Sequence, residues 1–190
     1  MNEIISPGED ILFMKVGTHA AEPLEKIIER KQAEIDGAGY ALWGYGGNTC
    51  HPLTMVQPFA RAAIERGNQI HLCMEEMESN HFAVSERATQ FSEDGIDWLE
   101  IPPEIHVIGS RYALAIRGLE QRSLELPLAQ TEVAIGNSKG RRGDRYIKGR
   151  VDKACLEVVE PAETGDDSGP VVEIGLVAQL VEPYAVIVRN

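Results

Sequence analysis

The sequence predicts an α+β fold, a short βαβαβ first half followed by a β-rich, mainly antiparallel second half. Three observations carry this reading. Apolar runs and helix-period segments alternate as far as residue 75. Pro102-Pro103 then punctuates the chain. Beyond it, stretches rich in Val, Ile, Leu and Tyr follow one another with turns between.

Residues 10–16 (DILFMKV) form a short apolar run with the length of a buried strand. Gly17-Thr18-His19 breaks it. Pro23 suits the first position of a helix, where its missing N–H leaves no gap. Leu24, Ile27, Ile28 and Ile35 share one face at helical spacing. Glu22 and Glu25 favour the positive end of the dipole, and Gly37 provides a left-handed stop. Residues 39–45 (GYALWGY) read as the second strand. A second helix runs to Arg66 with Phe59, Ala60, Ala63 and Ile64 on its apolar side, and Gly67 closes it. Its start is open between Pro52 and Pro58, since a proline inside a helix would kink it. In residues 69–75, Ile70, Leu72 and Met74 face one way, and His71, Cys73 and Glu75 the other.

Residues 83–94 read as weakly helical. Segments 105–117, 122–128, 131–135, 151–160 and 171–188 read as antiparallel strands, and 161–170 as an acidic turn. The 190 residues fit a single domain, 1–190, with room for an α/β sub-lobe over 1–100 and a β-rich one over 101–190.

Composition narrows the function. Hydrophobic residues make up 43% and charged residues 25%, a globular balance that excludes a wholly disordered chain. Thirty acids against eighteen bases give a net charge of −12. That field repels phosphate backbones, so general nucleic-acid binding is not expected. There is no eighteen-residue apolar run and no signal-peptide pattern in the first ten residues, so no membrane partner is expected. Three widely spaced cysteines, Cys50, Cys73 and Cys155, form no CxxC pair. They read as free thiols in a cytoplasmic protein.

The most informative segment is Gly44-Tyr45-Gly46-Gly47-Asn48-Thr49-Cys50-His51. Its glycines let a ligand approach the main chain closely. N–H groups at the start of the following helix attract anions. Asn48 and Thr49 add neutral donors. This is neither a P-loop nor a dinucleotide fingerprint, and a plain strand-to-helix turn would have the same residues. If the first three strands were parallel, their ends would gather Thr18 and His19, Asn48 to His51, and Glu75 and Glu76 on one edge, where α/β proteins bind ligands. Trp43 and Tyr45 would then stack a base, or else pack the core.

Two further chemistries arise nearby. Cys50, with His51 or the better placed His19, is the minimum set for a cysteine nucleophile, although a small buried thiol reads the same way. His71, Cys73 and Glu75 on one strand face make a mixed metal-ligand pattern, or simply a half-buried polar face. No metal or other cofactor is assigned. Residues 139–153 hold seven bases against two acids, in contrast to the acidic chain. Within this stretch Arg145, Lys148 and Arg150 are candidates for a basic flap over an anion, for a contact between subunits of a homo-oligomer, or for a solvated loop.

The function expected first is binding, for sensing or sequestering, of a small phosphate-bearing ligand, foremost a nucleotide or nucleotide-derived signal. The 46–51 loop (Gly46, Gly47, Asn48, Thr49), with Thr18, Trp43, Tyr45 and the basic residues of 141–150, would hold it. A hydrolase or transferase using Cys50, His51 and His19 is the second reading. A non-catalytic interaction module is the third.

Overall fold

The computed structural model describes residues 3–79, 86–148, 151–163 and 168–190. Strand β1 (Asp10–Val16), helix α1 (Leu24–Ala38), strand β2 (Ala41–Tyr45), helix α2 (Gln57–Glu65) and strand β3 (His71–Glu76) follow in order. Then come β4 (Gln90–Ser92), β5 (Leu99–Glu100), the long β6 (Tyr112–Pro127), β7 (Thr131–Val133), the short helix α3 (Gly143–Tyr146), β8 (Lys153–Val158) and β9 (Val171–Arg189). Among the described residues this is an α+β protein with one mixed sheet of nine strands and three α-helices. Among the described residues no helix is long and apolar enough to cross a membrane.

Sheet pairing departs from three parallel strands. The strand order is β2-β6-β9-β3-β1-β8-β7, with β4 on the far end of β9 and β5 on β4. Strands β1 and β3 do pair in parallel, Ile11 opposite His71. Strand β2 instead pairs antiparallel with β6, Leu42 opposite Ala115. Two long strands from late in the chain, β6 and β9, fill the space between β2 and β3. A pairing between residues so distant in sequence leaves no local signature.

Local signals account for most element ends. Helix α1 runs through the expected Gly37 stop to Ala38. Gly39, at φ 86°, takes the left-handed position and donates its N–H to Ile35 O at 2.8 Å. Both candidate prolines are used at the second helix. Pro52 opens a π-helical turn (Pro52–Val56) that runs directly into α2, and Pro58 lies in the first turn of α2. Phe59, Ala60 and Ala63 are buried there, but Ile64 is 44% exposed. Gln90–Ser92, expected to be weakly helical, is a strand because the end of β9 offers it a partner, Phe91 opposite Val188. Residues 83–85 of that segment and 164–167 of the acidic turn lie outside the described residues.

Strands β6 and β9 each serve more than one core. Leu114 and Ile116 of β6 join Leu12, Met14, Val16, Leu72 and Met74 beneath α1 and α2. Leu124 and Leu126 of the same strand join Ile11, Phe13, Cys73 and Leu156 in a second cluster. A third cluster places Leu42, Ala113, Val186 and Val188 against the 101–107 segment. Shifts in the β6–β9 register between Arg117/Glu120 and Gln121/Leu124 bend the ribbon between these cores. Each cluster draws on both halves of the chain. Because the sheet bends, β2 shares the first core with β1. Trp43 and Tyr45 pack there beside Leu12, Met14 and Val16.

Candidate ligand-binding site

A cavity of about 350 Å³ lies where the ends of β1, β2 and β3 approach the 106–110 segment and the start of β8. That is the lower part of the size range of small-molecule sites. From the β1–α1 loop it takes Gly17, Thr18 and His19. From β2 and its exit it takes Trp43, Gly44 and Gly46. Met77 and Ser79 follow β3, and Ser110 and Lys153 close the far side.

Local geometry fixes these groups. Gly17 is required because a Cβ there would meet the carbonyl oxygen of Met77. The chain then makes a tight turn, His19-Ala20-Ala21-Glu22, closed by paired backbone hydrogen bonds of 3.0 and 2.9 Å. Ala20 (φ 49°) and Ala21 (φ 63°) both occupy the left-handed region. Such a turn normally takes Asn and Gly, and alanine there costs about 1–2 kcal/mol per residue. Strain of this kind concentrates at functional sites. The turn sets the His19 ring on the cavity wall. Its Nε2 donates to Ile108 O at 3.1 Å, which places the proton on that nitrogen, and Ser110 Oγ lies 3.4 Å away. Gly109 (φ 72°) allows the approach, because a Cβ there would lie 3.1 Å from His19 Nε2.

Charge in the cavity wall comes chiefly from α1 and β8. Lys15, Arg30, Lys31 and Lys153 line the cavity, against Glu22 and Asp152. Arg30 donates to Glu22 (2.5 Å), to Glu34 (3.1 Å) and to His106 O (2.9 Å). Lys31 donates to Glu34 (2.9 Å) and to the same His106 carbonyl (2.5 Å). Burial lowers the Lys31 ammonium to about 8, against the attraction of Glu34. Burial also holds the His106 imidazole below its ordinary value, helped by the Arg87 charge. Lys153 is 8% exposed and sits 2.9 Å from Asp152 Oδ2. Its Nζ lies 5.4 Å from the centre of the Tyr45 ring and 3.9 Å from where a Gly46 Cβ would stand. Four cations face two lining carboxylates, with the buried Glu34 a third behind Arg30 and Lys31, so in a chain of charge −12 this concavity keeps a small positive excess.

The residues expected at the site divide into two sets. Thr18, His19, Trp43 and Gly46 line the cavity. Tyr45, Gly47, Asn48, Thr49, Cys50, His51, Arg145 and Lys148 do not. Tyr45 is 1% exposed and donates its hydroxyl to Cys50 O at 2.8 Å, so its ring offers no stacking face. Gly47 makes room for Tyr112, whose ring would be 3.1 Å from a Cβ. Thr49 donates to Asp152 Oδ1 at 3.1 Å, anchoring the loop to the approach of β8. His51 caps the helix. Its Nδ1 accepts from the N–H groups of Leu53 (3.2 Å) and Thr54 (3.4 Å), so the donors expected to hold an anion are already used. Cys50 has no exposed surface. Its sulfur lies 3.4 Å from that of Cys155, and it does not share the cavity with His19.

The basic stretch is tied to the edge strand β7 through Val133 N–H to Arg141 O at 2.9 Å. Arg145 is 66% exposed beside Asp144, and Lys148 is exposed. Arg150 lies outside the described residues. Among the described residues of the stretch, Asp152 and Lys153 at its end reach the cavity. On β3, Cys73 is sealed in the second core, and burial pushes its thiol up to about 12. Among the described residues no three His, Cys, Asp or Glu side chains come together to hold a metal, so His71, Cys73 and Glu75 do not converge.

Arg30, Lys31, His106 and Ser110 went unread in the sequence. One signal pointed to Lys31 and Glu34: they continue the Leu24–Ile27 stripe at helical spacing, so a charged pair falls on the buried face of α1. The chain matches no known protein family, no curated protein and no solved structure.

Proposed function

We propose that the protein binds a small phosphate-bearing molecule, foremost a nucleotide or nucleotide-derived signal, in the cavity at the ends of β1 and β2. The observation that carries this reading is the positive, half-enclosed concavity in a strongly acidic chain. A compact cation, Lys153, stands at Gly46, where the main chain is open to a ligand. Thr18, Ser79 and Ser110 supply hydroxyl donors around it, and Trp43 an apolar wall. Cations with converging donors are the chemistry that recognises a phosphate oxyanion. The loop contributes its near end, Gly46, rather than its helix-capping end. Binding rather than cysteine chemistry is favoured because Cys50 is sealed away from the cavity.

The test is calorimetric titration with the four ribonucleoside 5′-monophosphates, inorganic pyrophosphate and the parent nucleosides. At least one phosphate-bearing probe is expected to bind, and its dephosphorylated form to bind at least tenfold more weakly. Lys153→Met should weaken that probe by tenfold or more, the loss of one charge-assisted contact of about 1.5–3 kcal/mol. Gly46→Val should do the same by filling the mouth of the cavity. Nucleosides binding as well as nucleotides, unchanged affinity in Lys153→Met, or no binding by any phosphate-bearing probe would overturn the proposal.

A further inference from the structure

The sulfurs of Cys50 and Cys155 lie 3.4 Å apart, separated by 105 positions in sequence. Cys50 ends the glycine loop, immediately before the His51 cap. Cys155 is on β8, two residues after Lys153 on the same strand face. Both thiols are buried in the first core, and both are reduced. A disulfide needs the sulfurs at about 2.05 Å, so the two must draw together by about 1.4 Å to bond. The two thiols are chemically unequal. The hydrogen bond from Cys155 holds the Cys50 thiol below its ordinary value, with Lys153 helping, while burial pushes Cys155 well above. Cys50 is therefore the sulfur that ionises and attacks first. Cys50 and Cys155 are both buried, so a small oxidant reaches Cys50 only through opening of the adjoining loop, where Gly46 and Asn48 are exposed.

We propose that Cys50 and Cys155 are a redox pair, converted by hydrogen peroxide into an intramolecular disulfide that ties the glycine loop to β8 beside the cavity. In the first step the Cys50 thiolate attacks one peroxide oxygen. The O–O bond breaks, and the departing hydroxide takes up a proton to become water. Cys50 is then a sulfenic acid. In the second step the Cys155 sulfur attacks Cys50 Sγ and the S–O bond breaks. The leaving hydroxide carries away the Cys155 proton as a second water. Overall, two thiols are oxidised by two electrons and one peroxide is reduced to two waters. The bond would pull on the Cys50 carbonyl that receives the Tyr45 hydroxyl, and Tyr45 is the ring beneath Lys153.

The test is intact-mass measurement of the full chain after brief hydrogen peroxide treatment and alkylation of the remaining thiols. The wild type is expected to lose 2 Da, to keep one alkylatable thiol, and to recover both hydrogens with dithiothreitol. Non-reducing digestion should join the peptides containing Cys50 and Cys155. A covalent loop of this length should raise the midpoint of thermal unfolding by roughly 5–15 °C. Cys73→Ala should lose 2 Da as the wild type does, whereas Cys155→Ala should not. The proposal fails if the wild type gains oxygen without losing 2 Da. It also fails if the bond joins Cys73 or two chains, or if Cys73→Ala no longer forms it.

Discussion

Glu34→Gln tests how the cavity wall is held. The Glu34 side chain is 2% exposed. Its Oε1 accepts from Arg30 Nη1 at 3.1 Å and from the backbone N–H of His106 at 3.0 Å. Its Oε2 accepts from Lys31 Nζ at 2.9 Å. One carboxylate thus neutralises two cations and pins the 106–108 segment to α1. Glutamine keeps the shape but removes the charge and turns an amide donor toward one of the cations. Leaving a buried charge without its partner costs about 3–5 kcal/mol. For a chain of this size the midpoint should fall by about 6–20 °C. Urea unfolding of the variant gives the free energy directly. A double-mutant cycle with Lys31→Met should show coupling of at least about 1 kcal/mol, because the second change removes the cation the first one strands. A loss under about 1 kcal/mol, or strictly additive effects, would refute the claim that this carboxylate holds the wall together.

Two further outcomes follow from the same region. With Lys31 at about 8 when folded against an ordinary value of 10.5, the unfolded chain binds more protons between those pH values. Stability should therefore rise across that window, by at most about 3 kcal/mol from this group. The difference between wild type and Lys31→Met should show that rise when unfolding is measured from pH 7 to 11, and parallel curves would contradict it. Ala21→Gly should relieve a left-handed alanine (φ 63°), offset in part by the greater freedom of glycine in the unfolded chain. The expected net is a gain of up to about 1 kcal/mol in chemical unfolding, and a clear loss would show that the turn is not strained.

The local pattern of the sequence determined the α+β class, the first three strands, the alternating faces of β3 and the two helices. Each of these rests on neighbours a few residues apart: apolar spacing in α1, alternation around Cys73, a proline at a first turn. Thr18, His19, Trp43 and Gly46 were legible as residues at or near strand ends, and the structure places them on the cavity wall. The tertiary structure decided the rest. Whether Tyr45 stacks a ligand or seals a core depends on Lys153 and Cys50 packed around it. His51 became a cap because its imidazole faces the next two free N–H groups. Lys153 became a cavity residue, and Arg145 did not, because β8 pairs with β1, Lys153 opposite Met14, while α3 lies against β7. Cys50 met Cys155 across 105 positions of chain. Such encounters depend on which strands pair, and β6 and β9 settle that by burying side chains in three cores at once. Buried area summed over the whole sheet selects one pairing among many, and no short window of sequence contains that sum.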